Sequence, residues 1–370
     1  MPTSHLKPRL LVAASGTGGH IFPAIAVTES LPDWDIEWLG VPDRLEVELV
    51  SDLFPLHTVT MGGFQGRPGL GWLKVMGQFA SAIIRVRQLL HSGQFDGVLT
   101  MGGYIAAPAI LAARSLDLPV LLHESNAIPG KVTKWLAPLC TVVAVGIEDA
   151  AQRLNATRIE TVGNPVRQSF EQPQPLELDL PADVPLIVVM GGSQGARGLN
   201  RLVLEAAPAW LEMGAYVVHL TGQTDAAEVA KRAPQHPHYL HFPFRSDVAA
   251  LLQRATFAVS RAGAMSLAEL AVTTTPAILI PYPYAAEDHQ YANAIALERI
   301  HAAVVRREAE ISAEQLSALG LEWLHHPDRL QAMRHQLGTL AASQASANMA
   351  ALVRATIAPS KAHSSASSIS

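Results

Sequence analysis

The chain has 370 residues, 49% of them hydrophobic and 16% charged, a balance that supports a large core and, at this length, two domains. A formal net charge of -5 and a pI near 6.3 exclude the general basic field that non-specific nucleic-acid binding needs, so no nucleic-acid partner is expected. The lone cysteine, Cys140, excludes an internal disulfide and a thiolate zinc site; it is expected to be a small buried residue in a protein of a reducing compartment.

In chain order, Lys7 and Arg9 precede the apolar run Leu10-Leu11-Val12-Ala13-Ala14, which is short and opens into glycines, as a first strand does and a secretory leader does not. Asp33-Trp34-Asp35 has the acidic pair that holds metal and nucleotide in some transferases, but its place after Pro32 and before a strand predicts a turn. Strands are predicted at Arg9 to Ala14, Ile36 to Leu39, Gly97 to Met101, Val120 to His123 and Thr141 to Val145. The second half repeats them at Leu186 to Met190, Tyr216 to Leu220, Phe257 to Ser260 and Ala277 to Ile280. Helical segments lie between, so the fold class is α/β, with parallel sheets covered on both faces.

From Trp72 to Leu90, the residues Trp72, Val75, Met76, Phe79, Ile83, Val86 and Leu90 recur at helical spacing among Lys74, Arg85 and Arg87. Most of this stripe is expected to be core. Trp72 and Trp135, with the cations Lys131 and Lys134, are expected to meet an anionic membrane surface. No uncharged run is long enough to cross a bilayer, so the membrane contact is peripheral. Gln172 to Pro185, with prolines, acidic residues and no period, resembles an inter-domain connection, with the boundary near Gly163-Asn164-Pro165. The expected organisation is residues 1–163, residues 164–340, a helix over 341–358 returning to the first domain, and a disordered tail over 359–370. His236, His238 and His241 fall in a proline-containing loop entering a strand, and no metal is expected there.

Each half opens the same way, with an apolar strand running into glycines and then a helix: Gly16-Thr17-Gly18-Gly19-His20 first, Gly191-Gly192-Ser193-Gln194-Gly195 second. Such a turn brings backbone N–H groups close to a phosphate, and the helix N-terminus adds partial positive charge. A tight turn alone accounts for either loop; two at equivalent places favour ligand binding by two Rossmann-like domains facing a cleft. Ile21 replaces the third glycine of a dinucleotide fingerprint, and the second strand ends Trp38-Leu39-Gly40 with no acid for a ribose. Neither loop has the Gly-Lys-Ser/Thr ending of a P-loop. Ser260 to Glu269 leaves a strand for a helix and sets Glu269 more than a turn inside it, where a carboxylate can accept from vicinal ribose hydroxyls. Glu287 to Ala294 is a polar cluster suited to sugar hydroxyls.

Taken in order, Gly-Thr-Gly-Gly-His at 16 to 20, Met-Gly-Gly-Tyr at 101 to 104, His-Glu-Ser-Asn at 123 to 126, Gly-Asn-Pro-Val-Arg at 163 to 167, Gly-Gly-Ser-Gln-Gly-Ala-Arg at 191 to 197, Arg-Ala-Gly-Ala at 261 to 264 and Asp-His-Gln at 288 to 290 resemble the MurG family. That family comprises the UDP-N-acetylglucosamine transferases that convert lipid I to lipid II in peptidoglycan synthesis. The resemblance implies a GT-B architecture, two doubly wound parallel-sheet domains facing a central cleft, and inversion at the anomeric carbon. It implies UDP-N-acetylglucosamine as donor and lipid I, a polyprenyl-pyrophosphoryl-muramyl-peptide, as acceptor. No bound cofactor or metal is implied, and the place of action is the cytoplasmic face of the bacterial inner membrane.

By the same resemblance, Thr17, Gly18 and Gly19 belong to the phosphate region, Asn126 to the donor sugar, and Arg167, Ser193 and Gln194 to the donor nucleotide side. Arg245 would face the uracil through its backbone, beside Phe244. Ala264 and Met265 would offer N–H groups to the diphosphate, Glu269 would take the ribose, and Gln290 the sugar hydroxyls. Gly102, Gly103, Tyr104 and His123 would lie on the acceptor side. Ser15, Ser125 and Thr133 stand where the family usually has glycine, often glutamine and commonly asparagine.

The acceptor hydroxyl must lose a proton as it attacks C1 of the donor sugar. His20 is the favoured base because imidazole titrates near neutral pH; a phosphate-contact or capping role is its alternative, and Glu124 is the second candidate base. Charge on the leaving diphosphate falls to N–H groups and the helix dipole near Gly263 to Met265, helped by Arg167. Three other readings stay open: a related transferase with another lipid acceptor, a sugar-nucleotide epimerase, and a non-catalytic sugar-nucleotide carrier.

Overall fold

The apolar runs become the inner strands of two parallel sheets in the computed structural model, which describes residues 7–61, 70–192, 195–340 and 344–357. Helices flank both sheets. The first sheet holds β1 (Arg9–Ala13), β2 (Asp35–Gly40), β3 (Leu56–Thr58), β4 (Gly97–Thr100), β5 (Val120–Glu124), β6 (Val142–Val145) and β7 (Ile159–Thr161), in the order β3-β2-β1-β4-β5-β6-β7. The second holds β8 (Leu186–Met190), β9 (Tyr216–Leu220), β10 (Tyr239–Phe242), β11 (Phe257–Ser260), β12 (Ala277–Leu279) and β13 (Ala303–Val305), in the order β10-β9-β8-β11-β12-β13. Every ladder is parallel, with Val12 opposite both Trp38 and Leu99, and Val188 opposite both Val218 and Ala258.

Parallel strands are buried on both faces, so successive side chains feed two separate cores. Leu10 and Val12 pack on one face of β1 with Ile21 and Trp38, while Leu11 and Ala13 pack on the other with Val86 and Ile110. The second sheet repeats this, Ile187 and Val189 lying with Trp210 and Trp323, and Leu186 and Val188 with Leu251 and Leu270. Local signals also agree with the helices: Ser312 and Gln315 close a reciprocal capping box at the start of Ala313–His325.

The chain forms two compact units, residues 1–125, 129–165 and 344–370, and residues 126–128 and 166–343. The helix Ala345–Thr356 packs on the helix Gly18–Glu29 in the first unit, burying Met349 and Val353 beside Ile21. Gln172 to Pro185 is not a connection between units: it lies wholly in the second. Leu176, Leu178 and Leu180 pack on that unit's core, and the Arg254 guanidinium donates to the carbonyls of Pro181, Ala182 and Val184, contacts that a sequence period does not register. The tail over 359–370 lies outside the described residues. Among the described residues no helix is long and apolar enough to cross a membrane.

Candidate active site

In an open parallel sheet the ligand site forms beyond the carboxyl ends of two adjacent strands whose connections run to opposite sides. In the first unit that point lies between β1 and β4, and their following loops carry Gly16-Thr17 and Met101 to Tyr104. Gly16, Gly102 and Gly103 have φ of +104°, +82° and +75°, a region that favours glycine. Thr17 caps the helix Gly18–Glu29, its carbonyl accepting the His20 N–H at 3.0 Å. A Cβ at position 103 would lie 3.3 Å from His20 Cε1, so the second loop glycine makes room for the imidazole. Burial holds His20 below the ordinary histidine range, against the opposing pull of Glu124. Glu124 is itself buried, and its Oε2 accepts the Gly130 N–H at 3.0 Å. Thus His20, Gly103 and Glu124 come together at one strand edge, with Tyr104 exposed beside them.

His123 does not join them. Alternation along β5 turns it to the opposite face from Glu124, where it is fully buried and its Nε2 meets the Gly163 carbonyl at 3.0 Å. His123 thus fastens the end of the first unit, apart from the His20 and Glu124 cluster.

In the second unit the corresponding point lies between β8 and β11. The loop after β8 starts Gly191-Gly192; Ser193 and Gln194 lie outside the described residues. Gly192, Gly195 and Gly222 all have positive φ, and a Cβ on Gly222 would overlap the Gly195 backbone. The loop after β11 leads through Gly263 into the helix Ala264–Val272, whose first-turn N–H groups, those of Ala264 and Met265 included, have no intrahelical acceptor by construction. Gln290 ties this loop to the next: its Oε1 accepts the N–H of Ala262 at 3.2 Å and of Tyr282 at 3.0 Å. The Glu269 side chain is 16% exposed, and burial pushes its carboxyl up to about 7 although Arg167 stands 3.8 Å away. Arg245 is bound by Asp247 through two 2.6 Å hydrogen bonds, so its guanidinium is committed, while the neighbouring Phe244 is 66% exposed.

Three further residues beside these loops were given no individual role by the sequence. Arg261 is buried, donating to the carbonyls of Ile280 and Pro281 and to Glu308 at 2.5 Å, which fixes the β11 loop. Asn293 is fully buried, donates to Asn126 Oδ1 at 3.1 Å and the Ala262 carbonyl at 3.3 Å, and accepts the Ala127 N–H at 2.8 Å. It sets Asn126 beside the β11 loop within the second unit. Glu46, fully buried, accepts the N–H groups of Val41 at 2.8 Å and Gly16 at 3.2 Å. Arg261 stood in the Arg-Ala-Gly-Ala motif and Asn293 in the polar cluster of residues 287 to 294, neither with a role of its own, and for Glu46 no local pattern existed.

Asp33 pairs with Arg354 at 2.7 Å, which holds its carboxyl below the usual range, and His238 stacks on Tyr216. Among the described residues no group of three His, Cys, Asp or Glu side chains is placed to hold a metal ion. Val86 and Leu90 are core and Ile83 packs against it, but Val75 and Phe79 are half-buried and Met76 is exposed, so less of the stripe is core than expected. Trp135 is 74% exposed and Lys131 is exposed on the same short helix, whereas the side chains of Trp72 and Lys74 lie outside those described.

Comparison with known proteins gives two adjoining family matches, the glycosyltransferase family 28 N-terminal domain over residues 10–145 and its C-terminal domain over 186–350. A UDP-N-acetylglucosamine--N-acetylmuramyl-(pentapeptide) pyrophosphoryl-undecaprenol N-acetylglucosamine transferase of Synechococcus sp. is 60% identical over 94% of this chain and 95% of its own. One of the same description from Trichodesmium erythraeum is 50% identical over 94% of this chain and 92% of its own. The crystal structure of Acinetobacter baumannii MurG superposes with a TM-score of 0.75 at 28% identity, covering 94% of this chain and 99% of that one.

Proposed function

The chain belongs to the MurG family, glycosyltransferases of the GT-B class of fold, and from that premise we propose that it transfers N-acetylglucosamine from UDP-N-acetylglucosamine, with inversion, to the C4 hydroxyl of the muramyl sugar of lipid I, forming lipid II. The observation that carries the reading is the pair of glycine turns at the two sheets' switch points, each with its own titratable group: His20 in the first unit and Glu269 in the second. In the second unit the diphosphate is taken by first-turn N–H groups at Ala264 and Met265, with the helix dipole behind them. Glu269 accepts from the ribose, Asn126 and Gln290 address the sugar, and the backbone beside Phe244 and Arg245 takes the uracil.

In the first unit Thr17, Gly18 and Gly19 offer N–H groups to phosphate, and Gly102, Gly103 and Tyr104 border the acceptor. His20, held neutral by burial, removes the proton of the attacking hydroxyl, with Glu124 stabilising the imidazolium that forms. Leaving-group charge is met by backbone N–H groups and Arg167, and no metal or cofactor is assigned a step. Trp135 with Lys131 and Lys134 supplies the peripheral contact with an anionic bilayer at the cytoplasmic face. Incubation with labelled UDP-N-acetylglucosamine and a short-chain lipid I analogue tests the reading; label that stays out of the lipid fraction refutes it. For the membrane contact, co-sedimentation with anionic vesicles should weaken on Trp135→Ser, and equal binding by both forms would count against the assignment.

A further inference from the structure

Three side chains from later in the chain hold the turn Arg261-Ala262-Gly263, which leads from β11 into the helix Ala264–Val272. Gln290 accepts the Ala262 N–H and Asn293 donates to the Ala262 carbonyl, both from the helix His289–Arg299. The third is Glu308, in the segment after β13. It takes the Arg261 guanidinium at 2.5 Å. A buried guanidinium needs acceptors for its N–H groups and an opposite charge nearby. The carbonyls of Ile280 and Pro281, at the end of β12, are two of the acceptors at 3.1 and 3.2 Å, and Glu308 brings the charge. Arg261 Nε has no hydrogen-bond partner among the described residues, so only the Nη groups fasten the side chain.

Glu308 has a seat of its own. Its carboxylate lies over Gly198, the second residue of the helix Arg197–Glu212, where a Cβ would overlap it. Glycine is a poorer helix former than alanine, and Gly198 has no positive φ to require it. What its bareness provides is room for the carboxylate. A helix start carries partial positive charge, which favours an anion at this place. The helix follows the second glycine turn, so Glu308 joins the element after β8 to the turn after β11. The Arg261 N–H closes the same connection from the backbone side, donating to the Met190 carbonyl at 3.1 Å.

We propose that Glu308 is a positioning residue of the donor site: seated on Gly198, it fixes Arg261 and with it the turn whose next N–H groups, at Ala264 and Met265, receive the diphosphate, without touching the donor itself. This rests on the reading of that helix start as the diphosphate site. The affinity of the full chain is measured for UDP by calorimetric titration and for uridine by ligand-observed NMR, because a displaced turn is felt only by a ligand that carries phosphates. Glu308→Ala should weaken UDP binding by about tenfold to a hundredfold and change uridine binding by less than about threefold. Glu308→Gln, whose amide oxygen still accepts from the guanidinium, should recover most of the UDP affinity. Equal losses for UDP and uridine, undiminished UDP binding by Glu308→Ala, or a Glu308→Gln chain as weak as Glu308→Ala overturns the proposal. A parent chain that binds UDP no better than uridine removes the diphosphate site itself, whereas a parent that prefers UDP, beside a Glu308→Ala chain with the same preference, removes Glu308 alone. Should Glu308→Ala fail to fold, Gly198→Ala pushes the carboxylate off its seat while leaving both charges in the chain, and it is judged by the same two affinities.

Discussion

Replacing Glu269 by glutamine should make the free protein more stable and its donor binding worse. The carboxyl is raised from 4.5 to about 7 by burial, which corresponds to about 3 kcal/mol of penalty on ionisation. Between those values the folded state holds a proton that the unfolded chain has lost. Stability from this group is therefore fully present below pH 4.5, falls as pH rises, and levels off above about 7. Glutamine carries no such penalty. The variant should match the parent near pH 4.5 and exceed it at pH 8 by up to about 3 kcal/mol, a ceiling because Arg167, 3.8 Å away, loses its partner. For a unit of this size that is a rise in Tm of roughly 6 to 12 °C. Urea or thermal unfolding without ligand at the two pH values measures it. Calorimetric titration with UDP-N-acetylglucosamine should show affinity lower by about tenfold to a hundredfold, the value of a charged hydrogen bond to the ribose. A variant no more stable than the parent at pH 8 would show that the carboxyl is not desolvated; unchanged affinity would remove Glu269 from the ribose.

His20→Ala should slow single-turnover transfer by about a hundredfold to ten-thousandfold with donor affinity retained, and the parent's acid limb should fall below the ordinary histidine value of 6.5; a normal rate would move the base to Glu124. Gly222→Ala forces a side chain into φ +76° and into the Gly195 backbone, so urea unfolding should report a loss of roughly 2 to 4 kcal/mol, and an unchanged midpoint would contradict the contact. Cys140, its thiol pushed to about 12 by burial, should resist a thiol reagent in the native protein and react at once in denaturant; rapid native labelling would place it at the surface.

How much of this was legible in the sequence follows the geometry of the sheets. All nine strands placed from apolar runs are present, and all nine lie inside a sheet, because strands covered on both faces are dominated by apolar residues. Of the strands left unplaced, β3, β7 and β13 are edges carrying Leu-His-Thr, Ile-Glu-Thr and Ala-Val-Val, and β10, the fourth edge, showed only as a strand that the histidine loop enters. An edge strand has one neighbour and partial exposure, so its pattern dissolves into that of a loop. The site divides in the same way. Glycine turns betray themselves because positive φ restricts the residue, as at Gly16 and Gly192. Glu46 and Asn293 act on backbone groups remote in sequence, 30 residues away for the Glu46–Gly16 bond and 166 for the Asn293–Ala127 bond, and no local window contains both partners. His123 shows the converse: adjacency to Glu124 in sequence puts it on the other side of the strand, which no motif reveals.

The helix Ala345–Thr356 closes the core of the first unit, its Ile357 lying against Gly97, although some 180 residues of the other unit are synthesised in between. On a ribosome, then, the opening half of the polypeptide waits with an uncovered apolar face until residues 345 to 357 emerge. Chains stalled or clipped before residue 345 would leave bare the apolar surface on which Met349, Val353 and Ile357 pack, a patch open to chaperones and proteases.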